Sequence, residues 1–410
     1  MELVVDFHIH SKYSRATSRD MNVENLARSA KIKGIDIIAT GDFTHPEWLL
    51  ELKNNLSEDS SGIHKHNGAY FILTAEVNNI YSKYQKSRRI HNILIAPDFK
   101  TVKEVNKALG QYGDLFSDGR PILKLDAKKM LKILRSINPH IFLIPAHLWT
   151  PWFGVLGSAT GFDAIEECFE EETNNVHALE TGLSSDPAMN WRLSSLDKFF
   201  LVSNSDAHSP KNLGREANVF ESEINYYEIM NIIKERDIKK FLYTIEFFPQ
   251  EGKYHYDGHR ACGQCLSPAE SIKKNNKCPV CKKDVTIGVM HRIEELADRK
   301  EGYCDEKFVP FKSLIPLREI IAEVKGVGPD TKTVANKYNN IIARAGSEFN
   351  ALLRIPEPEL RGFCSSRVGD GIMKVRNGEV DIRPGYDGEY GKISIFSEKD
   401  SNQNEQLTLF

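Results

Sequence analysis

The chain reads as an α/β protein whose first 245 residues form a barrel of alternating strands and helices. Short apolar runs recur at 3–8, 35–40, 70–77, 93–96, 141–146, 176–179, 199–203 and 241–245. Helical patterns lie between most of them, at 21–33, 46–56, 126–137 and 225–234. Repeated strand–helix units favour a parallel sheet, and about seven of them favour a closed barrel over an open one. Histidines and carboxylates, moreover, recur at the carboxyl ends of the apolar runs, the rim where barrels keep their chemistry.

The first run continues as LVVDFHIHSKYS, in which Asp6, His8 and His10 alternate with Val5, Phe7 and Ile9. Residues two apart in an extended chain share a face, so both imidazoles project the same way. Two neutral imidazoles side by side can bind one cation. Asp42 and His45 follow the second run, Glu76 ends the third, and His147 and Glu180 end later ones. Asp206 and His208 follow the run at 199–203. His91 begins its run instead of ending it. It returns to the same rim if its strand runs antiparallel to that of Glu76, the polar 78–89 segment joining the two. Singly, such residues are commonly turn or cap residues, as Asp42 and Asp206 could each be. Recurrence at one phase of successive strands points instead to a site for several metal ions. His64, His66, His140 and His177 lack that phase and read as surface or packing residues.

Clustered divalent ions lower the pKa of a bound water and neutralise phosphoryl oxygens. With no GxSxG elbow in the sequence, hydrolysis of a phosphate ester by metal-activated water is the expected reaction class. The remaining composition is that of a soluble protein: 40% hydrophobic, 27% charged and a net charge of −3, which offers no global basicity for nucleic acid. No basic leader precedes an apolar stretch, and no apolar run could span a bilayer, so a cytoplasmic, membrane-free setting is expected.

Residues 246–290 change character. Cys262, Cys265, Cys278 and Cys281 form two CxxC knuckles, a spacing that suits a structural, tetrahedral Zn²⁺. Cys168, Cys304 and Cys364 read as free thiols. Lysines and aromatics around the knuckles could grip a phosphate backbone, or simply face solvent. Residues 291–396 read as a helical domain. Within it, Lys325, Gly326 and Gly328 sit in a turn like a helix-hairpin-helix, and Asn377-Gly378 marks a terminal hairpin. The tail 397–410 is polar until Gln406, Leu407, Thr408, Leu409 and Phe410. It reads as disordered.

DFHIHSKYS, GDFTH, Glu76, His91, PAHLW and NSDAH together resemble the ordered motifs of the PHP family of metal-dependent phosphoesterases. The resemblance implies an irregular seven-stranded barrel holding two or three divalent ions (Zn²⁺, Mn²⁺ or Mg²⁺). It implies one metal on His8, His10, Glu76 and Asp206, and a second on Glu76, His91 and His147. A third would sit on His208 with Asp42 or His45. TGDFTH replaces the family's usual TDH triplet, and Tyr13 and Ser14 stand where many members have a histidine. The order of barrel, zinc module, helical domain and tail is similar to the endonuclease Q family over nearly the whole chain. That likeness implies a DNA repair endonuclease, nucleoid-associated, cutting duplex DNA on the 5′ side of hypoxanthine, uracil, xanthine or an abasic site. Lys12, Tyr13, Arg15, Trp149, Trp152, Glu180 and Asn204 become candidate DNA contacts. The terminal QLTLF (Gln406, Leu407, Leu409 and Phe410 as anchors) resembles the bacterial sliding-clamp-binding pentapeptide. A histidinol-phosphatase-like enzyme and a non-catalytic DNA-binding scaffold are the alternatives.

Overall fold

The computed structural model describes residues 1–396. The clamp-like pentapeptide therefore lies outside the described residues. The chain divides into two compact units. One comprises Met1–Lys31, Ile35–Glu246 and Arg292–Phe311, and the other Ile32–Gly34, Phe247–His291 and Lys312 onward.

The first unit is built on strands β1 (Glu2–Asp6), β2 (Ile37–Ala39), β3 (His64–His66), β4 (Ala69–Lys83), β5 (Lys86–Ala96) and β6 (Ile122–Leu123). They are followed by β7 (Phe142–Pro145), β8 (Ala178–Glu180), β9 (Phe200–Val202), β10 (Ala217–Glu221) and β11 (Phe241–Glu246). The main sheet runs β11-β10-β1-β2-β4-β5-β7, with β3 and β6 also paired to β4. Strands β8 and β9 form a separate parallel pair. The sheet is thus mixed and curled, and its ladder does not close, contrary to the expected parallel barrel. β1, β2 and β4 are mutually parallel; β5 on one side and β10 on the other run antiparallel to them, and β7 and β11, each antiparallel to its neighbour, return to the first direction.

The cause on one side is a two-residue turn. Tyr84 and Gln85 both adopt left-handed backbone, φ 52° and 59°. Two such residues make the tight turn whose twist matches a hairpin. β4 and β5 therefore run far beyond the apolar runs that announce them, into a mostly exposed polar half. On the other side, no α-helix lies between β9 and β10, only a 3-10 turn at Pro210–Asn212. Polar side chains, not a ladder, join the end of β9 to the sheet. Asn218 Nδ2 donates to Ser203 O (2.8 Å), Asn204 Oδ1 (2.9 Å) and Val5 O (3.3 Å). Asp6 accepts from Ser205 N (3.1 Å) and Ser205 Oγ (2.6 Å).

Core residues such as Val5, Phe7, Ile93, Ile144, Val202 and Phe220 fill the curl. Helix Val23–Lys33 buries Val23, Leu26, Ala27 and Ala30, the stripe its periodicity predicts. Helix Phe99–Leu109 was not legible as a helix. It starts at Asp98, which accepts from Thr101 N at 2.6 Å. Arg292 anchors the 292–311 segment in this unit by donating to Leu156 O (3.2 Å) and Phe162 O (3.1 Å). Among the described residues no helix is long and apolar enough to cross a membrane.

Glu246 closes β11 fully buried, where Ser203 and Thr244 hydroxyls donate to its carboxylate. Burial pushes its carboxyl from an ordinary 4.5 up to about 8, against the opposing effect of those hydroxyls. Between those values the unfolded chain binds fewer protons than the folded one. Rising pH therefore removes stability through this window, by up to about 1.4 kcal/mol per pH unit. Glu246→Gln keeps the shape without the titration. Denaturation midpoints measured from about pH 5 to pH 8 should fall less steeply in the variant than in the wild type. Identical slopes would contradict this account.

In the second unit, hairpin Asp257–His259/Gln264–Leu266 and helix Pro268–Lys273 precede helices Leu317–Lys325, Lys332–Ala345, Glu357–Arg361 and Ser366–Arg376. Leu317, Ile320, Ile321, Val334, Ile341 and Ile372 are buried on the helices. Gly326, at φ +62°, ends the first long helix, and residues 326–330 are exposed. Asn377-Gly378 does not turn a hairpin. It terminates helix Ser366–Arg376, with Gly378 N donating to Val375 O at 3.1 Å. The hairpin lies further on, between Asp381–Arg383 and Lys392–Ser394.

Candidate metal centre

β1 ends at Asp6, and the chain continues extended, so that His8 and His10 lie side by side with ring centroids 5.4 Å apart. Glu76 and His91 come from β4 and β5. There Asn78 pairs with His91 and Glu76 with Ile93, which puts both functional side chains on one face. His147 follows β7, and Asp206 and His208 follow β9. Asp42, His147 and Asp206 all hold left-handed backbone, at φ 49°, 30° and 45°. Such conformations cost about 1–3 kcal/mol each and persist where surrounding structure imposes them. At Gly41, next to Asp42, φ is +60° and an added Cβ would lie 2.3 Å from Ile9 O, so only glycine fits this turn.

Glu76 is the hub. Its Oε1 lies 2.6 Å from His91 Nδ1 and 3.0 Å from His147 Nε2, while Oε2 lies 3.2 Å from His10 Nε2 and 3.6 Å from His8 Nε2. Asp206 Oδ1 sits 3.1 Å from His10 Nε2 and 3.7 Å from His8 Nε2. Three groups of donors within metal-binding reach result: His8, His10 and Glu76; Glu76, His91 and His147; and His10, Asp206 and His208.

A second ring of residues aims these donors. Glu180 Oε1 meets His8 Nδ1 at 2.9 Å, and its Oε2 accepts from His147 N at 2.7 Å. Asn204 donates to Glu180 Oε1 at 2.9 Å. Asp42 contacts His10 Nδ1 at 3.1 Å and accepts from Ser11 N, Ser11 Oγ and Ser14 Oγ at 2.6–2.9 Å. Carboxylates holding Nδ1 direct the Nε2 lone pairs inward. His8 Nε2, His10 Nε2 and Asp206 Oδ1 are buried there with no hydrogen-bond partner among the described residues. Buried polar atoms without a partner are costly, and a shared cation satisfies all three at once. The donor set therefore fits divalent metal.

The electrostatics agree. Burial works to raise the pKa of Glu76, yet His91, His8 and Arg120 hold it well below the usual carboxylate range. Asp206 is likewise held low, against burial, by His8 and His10. Burial drives His91 down to about 4 and so favours the neutral imidazole that ligates. His8 and His10 are pushed the other way, well above the ordinary value, because carboxylates outweigh their burial. The pocket demands positive charge, which protons supply when cations do not.

Several expected roles change. Asp42 and His45 fall in none of the donor groups among the described residues. Asp42 is spent on His10 and the serines, and His45 stacks on Tyr13 with centroids 4.4 Å apart. His208 groups instead with His10 and Asp206. Glu180 and Asn204 are wholly buried behind the donors, out of reach of DNA. Trp149 is buried too, its Nε1 donating to Asn190 Oδ1 at 2.8 Å. Trp152 is exposed, 5.9 Å from the Arg89 guanidinium. Lys12 pairs with Glu51 at 2.6 Å, and Arg15, exposed, with Asp118 at 3.3 Å. Lys325 is the exposed last residue of helix Leu317–Lys325, and Gly326 and Gly328 lie in the exposed turn that follows. Arg120, which donates to Glu76 Oε2 at 3.0 Å, was missed, since an arginine in a loop carries no periodic signal.

The second unit holds a donor cluster of its own, made of His259, Cys262, Cys278 and Cys281 in place of four cysteines. Cys265 pairs across the hairpin with Gly258, and His259 with Gln264. Paired residues share a face, so His259 and Cys265 point to opposite sides. Cys265 Sγ is exposed, 3.9 Å from Pro384 O, while His259 Nδ1 is 3.7 Å from Cys281 Sγ. The HxxC spacing of His259 and Cys262 was the available signal.

Fold and donor clusters together define a metal-dependent enzyme on a curled α/β sheet. A family profile, the MJ0043 C-terminal domain, matches residues 316–379. The protein MJ0043 of Methanocaldococcus jannaschii is 35% identical over 270 residues, 64% of this chain and 33% of that protein, so the chain spans about a third of that relative. The crystal structure of the lesion-specific endonuclease PfuEndoQ from Pyrococcus furiosus superposes with a TM-score of 0.87 at 32% identity, covering 98% of this chain and 99% of that one. A structure of endonuclease Q with a 27-mer duplex substrate carrying an abasic lesion at the active site gives 0.85 at 33% identity, with 98% of each chain covered. The chain belongs to the endonuclease Q family.

Proposed function

We propose that the protein is a DNA repair endonuclease that hydrolyses the phosphodiester 5′ of a deaminated base or abasic site. The observation that carries this reading is the carboxylate of Glu76 shared between two imidazole clusters, in a fold that matches a lesion-bound endonuclease over 98% of the chain. His8, His10, Glu76, His91, His147, Asp206 and His208 hold the active-site cations in this reading, whether Zn²⁺, Mn²⁺ or Mg²⁺. When bound, such cations acidify a water and neutralise charge on phosphoryl oxygens. Glu180 and Asp42 fix the tautomers of His8 and His10, so that Nε2 of each remains a lone-pair donor. An altered base is extruded most cheaply where its pairing is already weak, which favours mispaired and abasic positions. Trp152 and Tyr13, at or near the rim, are available to stack. A structural Zn²⁺ in the second unit, phosphate contacts from Lys325, Gly326 and Gly328, and docking of Gln406, Leu407, Leu409 and Phe410 on a bacterial sliding clamp complete the proposal. The setting is cytoplasmic, at the nucleoid.

Duplex oligonucleotides bearing uracil, hypoxanthine or an abasic site, incubated with and without Mg²⁺ or Mn²⁺, test this directly. A nick 5′ of the lesion is expected, absent in His8→Ala. Intact strands under every condition, with phosphate released from a simple monoester, would favour the phosphatase alternative.

A further inference from the structure

We infer that Arg120 grips the scissile phosphate, a role that rests on the endonuclease reading above and names its anion-holding group. Arg120 Nη1 donates to Glu76 Oε2 at 3.0 Å, with the side chain 28% exposed at the edge of the site.

The loop that carries it is built to deliver it. Just beyond Arg120, Asn78 N donates to Pro121 O at 3.0 Å, and β6 then pairs with β4. Just before it, Gly119 N donates to Tyr13 O (3.1 Å), and Thr44 Oγ1 donates to Gly119 O (3.2 Å). A Cβ on Gly119 would fall 2.3 Å from Asp42 Oδ2, so the loop lies against the residue that orients His10. Asp118 Oδ1 accepts from Arg120 N at 3.1 Å. Both neighbours of Arg120 are thus tied to strand or rim, and its reach is set in advance.

A largely buried guanidinium needs an anionic partner. Its partner here is a carboxylate already divided among four imidazoles. Arg120 engages Glu76 through Nη1 alone, and the rest of the planar fork keeps N–H groups for a second anion. Two oxygens of a phosphodiester match that fork, whereas a lysine ammonium acts only as a point charge. The competing role is purely structural, with Arg120 holding Glu76 in its rotamer.

Arg120→Ala and Arg120→Lys in the full-length, metal-loaded protein separate the two. Bound metal is measured by mass spectrometry, inorganic phosphate binding by calorimetry, and single-turnover cleavage on an abasic duplex. We expect unchanged metal content, phosphate binding weakened about tenfold or more, and cleavage slowed roughly 100-fold in Arg120→Ala, with partial recovery in Arg120→Lys. Metal lost in step with activity, or phosphate binding equal to wild type, overturns the assignment. A wild-type protein that binds phosphate through Arg120 but cuts no lesion duplex would refute the endonuclease reading alone.

Discussion

Glu76→Gln will strip cations from both clusters that share this residue and slow lesion cleavage on the order of a thousandfold or more. The amide keeps the side chain's shape, so β4 and its ladder to β5 survive. What it loses is a charge placed 2.6 Å from His91 Nδ1, 3.0 Å from His147 Nε2 and 3.2 Å from His10 Nε2. It also turns an NH₂ donor towards imidazoles that must stay free to ligate. The contrast with Asp42→Asn sharpens the prediction. Asp42 acts on the site through His10, and losses at such positions run to about 10–100-fold. Metal content and single-turnover rates of both variants decide the matter. A Glu76→Gln protein that retains its metals and rate would show that Glu76 is not the shared ligand.

The second large effect concerns the other donor cluster. His259→Ala, Cys262→Ser, Cys278→Ser or Cys281→Ser should each cost one equivalent of bound zinc and disorder the residues around the knuckles. Cys265→Ser should cost neither. The apolar cluster beside the site is small: Leu266, Cys278 and Val285, with Cys262 and Ile287 packed against it. So little apolar burial cannot offset the entropy of ordering this segment. In the proposed reading a bound Zn²⁺, worth about 10–16 kcal/mol in small finger peptides, would supply the difference. Zinc content and hydrogen exchange across 255–290 read the outcome. Zinc retained by His259→Ala but lost in Cys265→Ser would restore the four-thiolate set.

Much of the first unit was legible because period and phase are local properties. The helical stripe of Val23, Leu26, Ala27 and Ala30 is buried as its spacing requires. The antiparallel return that brings His91 to Glu76 followed from polar text between two apolar runs, and the structure supplies it as the β4–β5 hairpin. Its turn was not legible, since Tyr84-Gln85 is not the glycine- or asparagine-containing pair that usually takes left-handed backbone. Nor was β10 predicted. Without it the eight apolar runs resemble repeated parallel units, whereas its antiparallel pairing with β1 makes the sheet mixed.

In the site, the sequence by itself determined which residues are available to converge: imidazoles and carboxylates at strand ends lie on one rim whatever the exact topology. Tertiary structure alone decided what each does there. Asp42 and Glu180 sit at strand ends like the donors, yet they face His10 and His8 Nδ1 and orient them. Arg120 and His259 enter their sites through loop anchoring and hairpin register, which no spacing rule records. The physical reason is that periodicity states which face of an element a side chain occupies, while its partners depend on contacts between residues far apart in the chain.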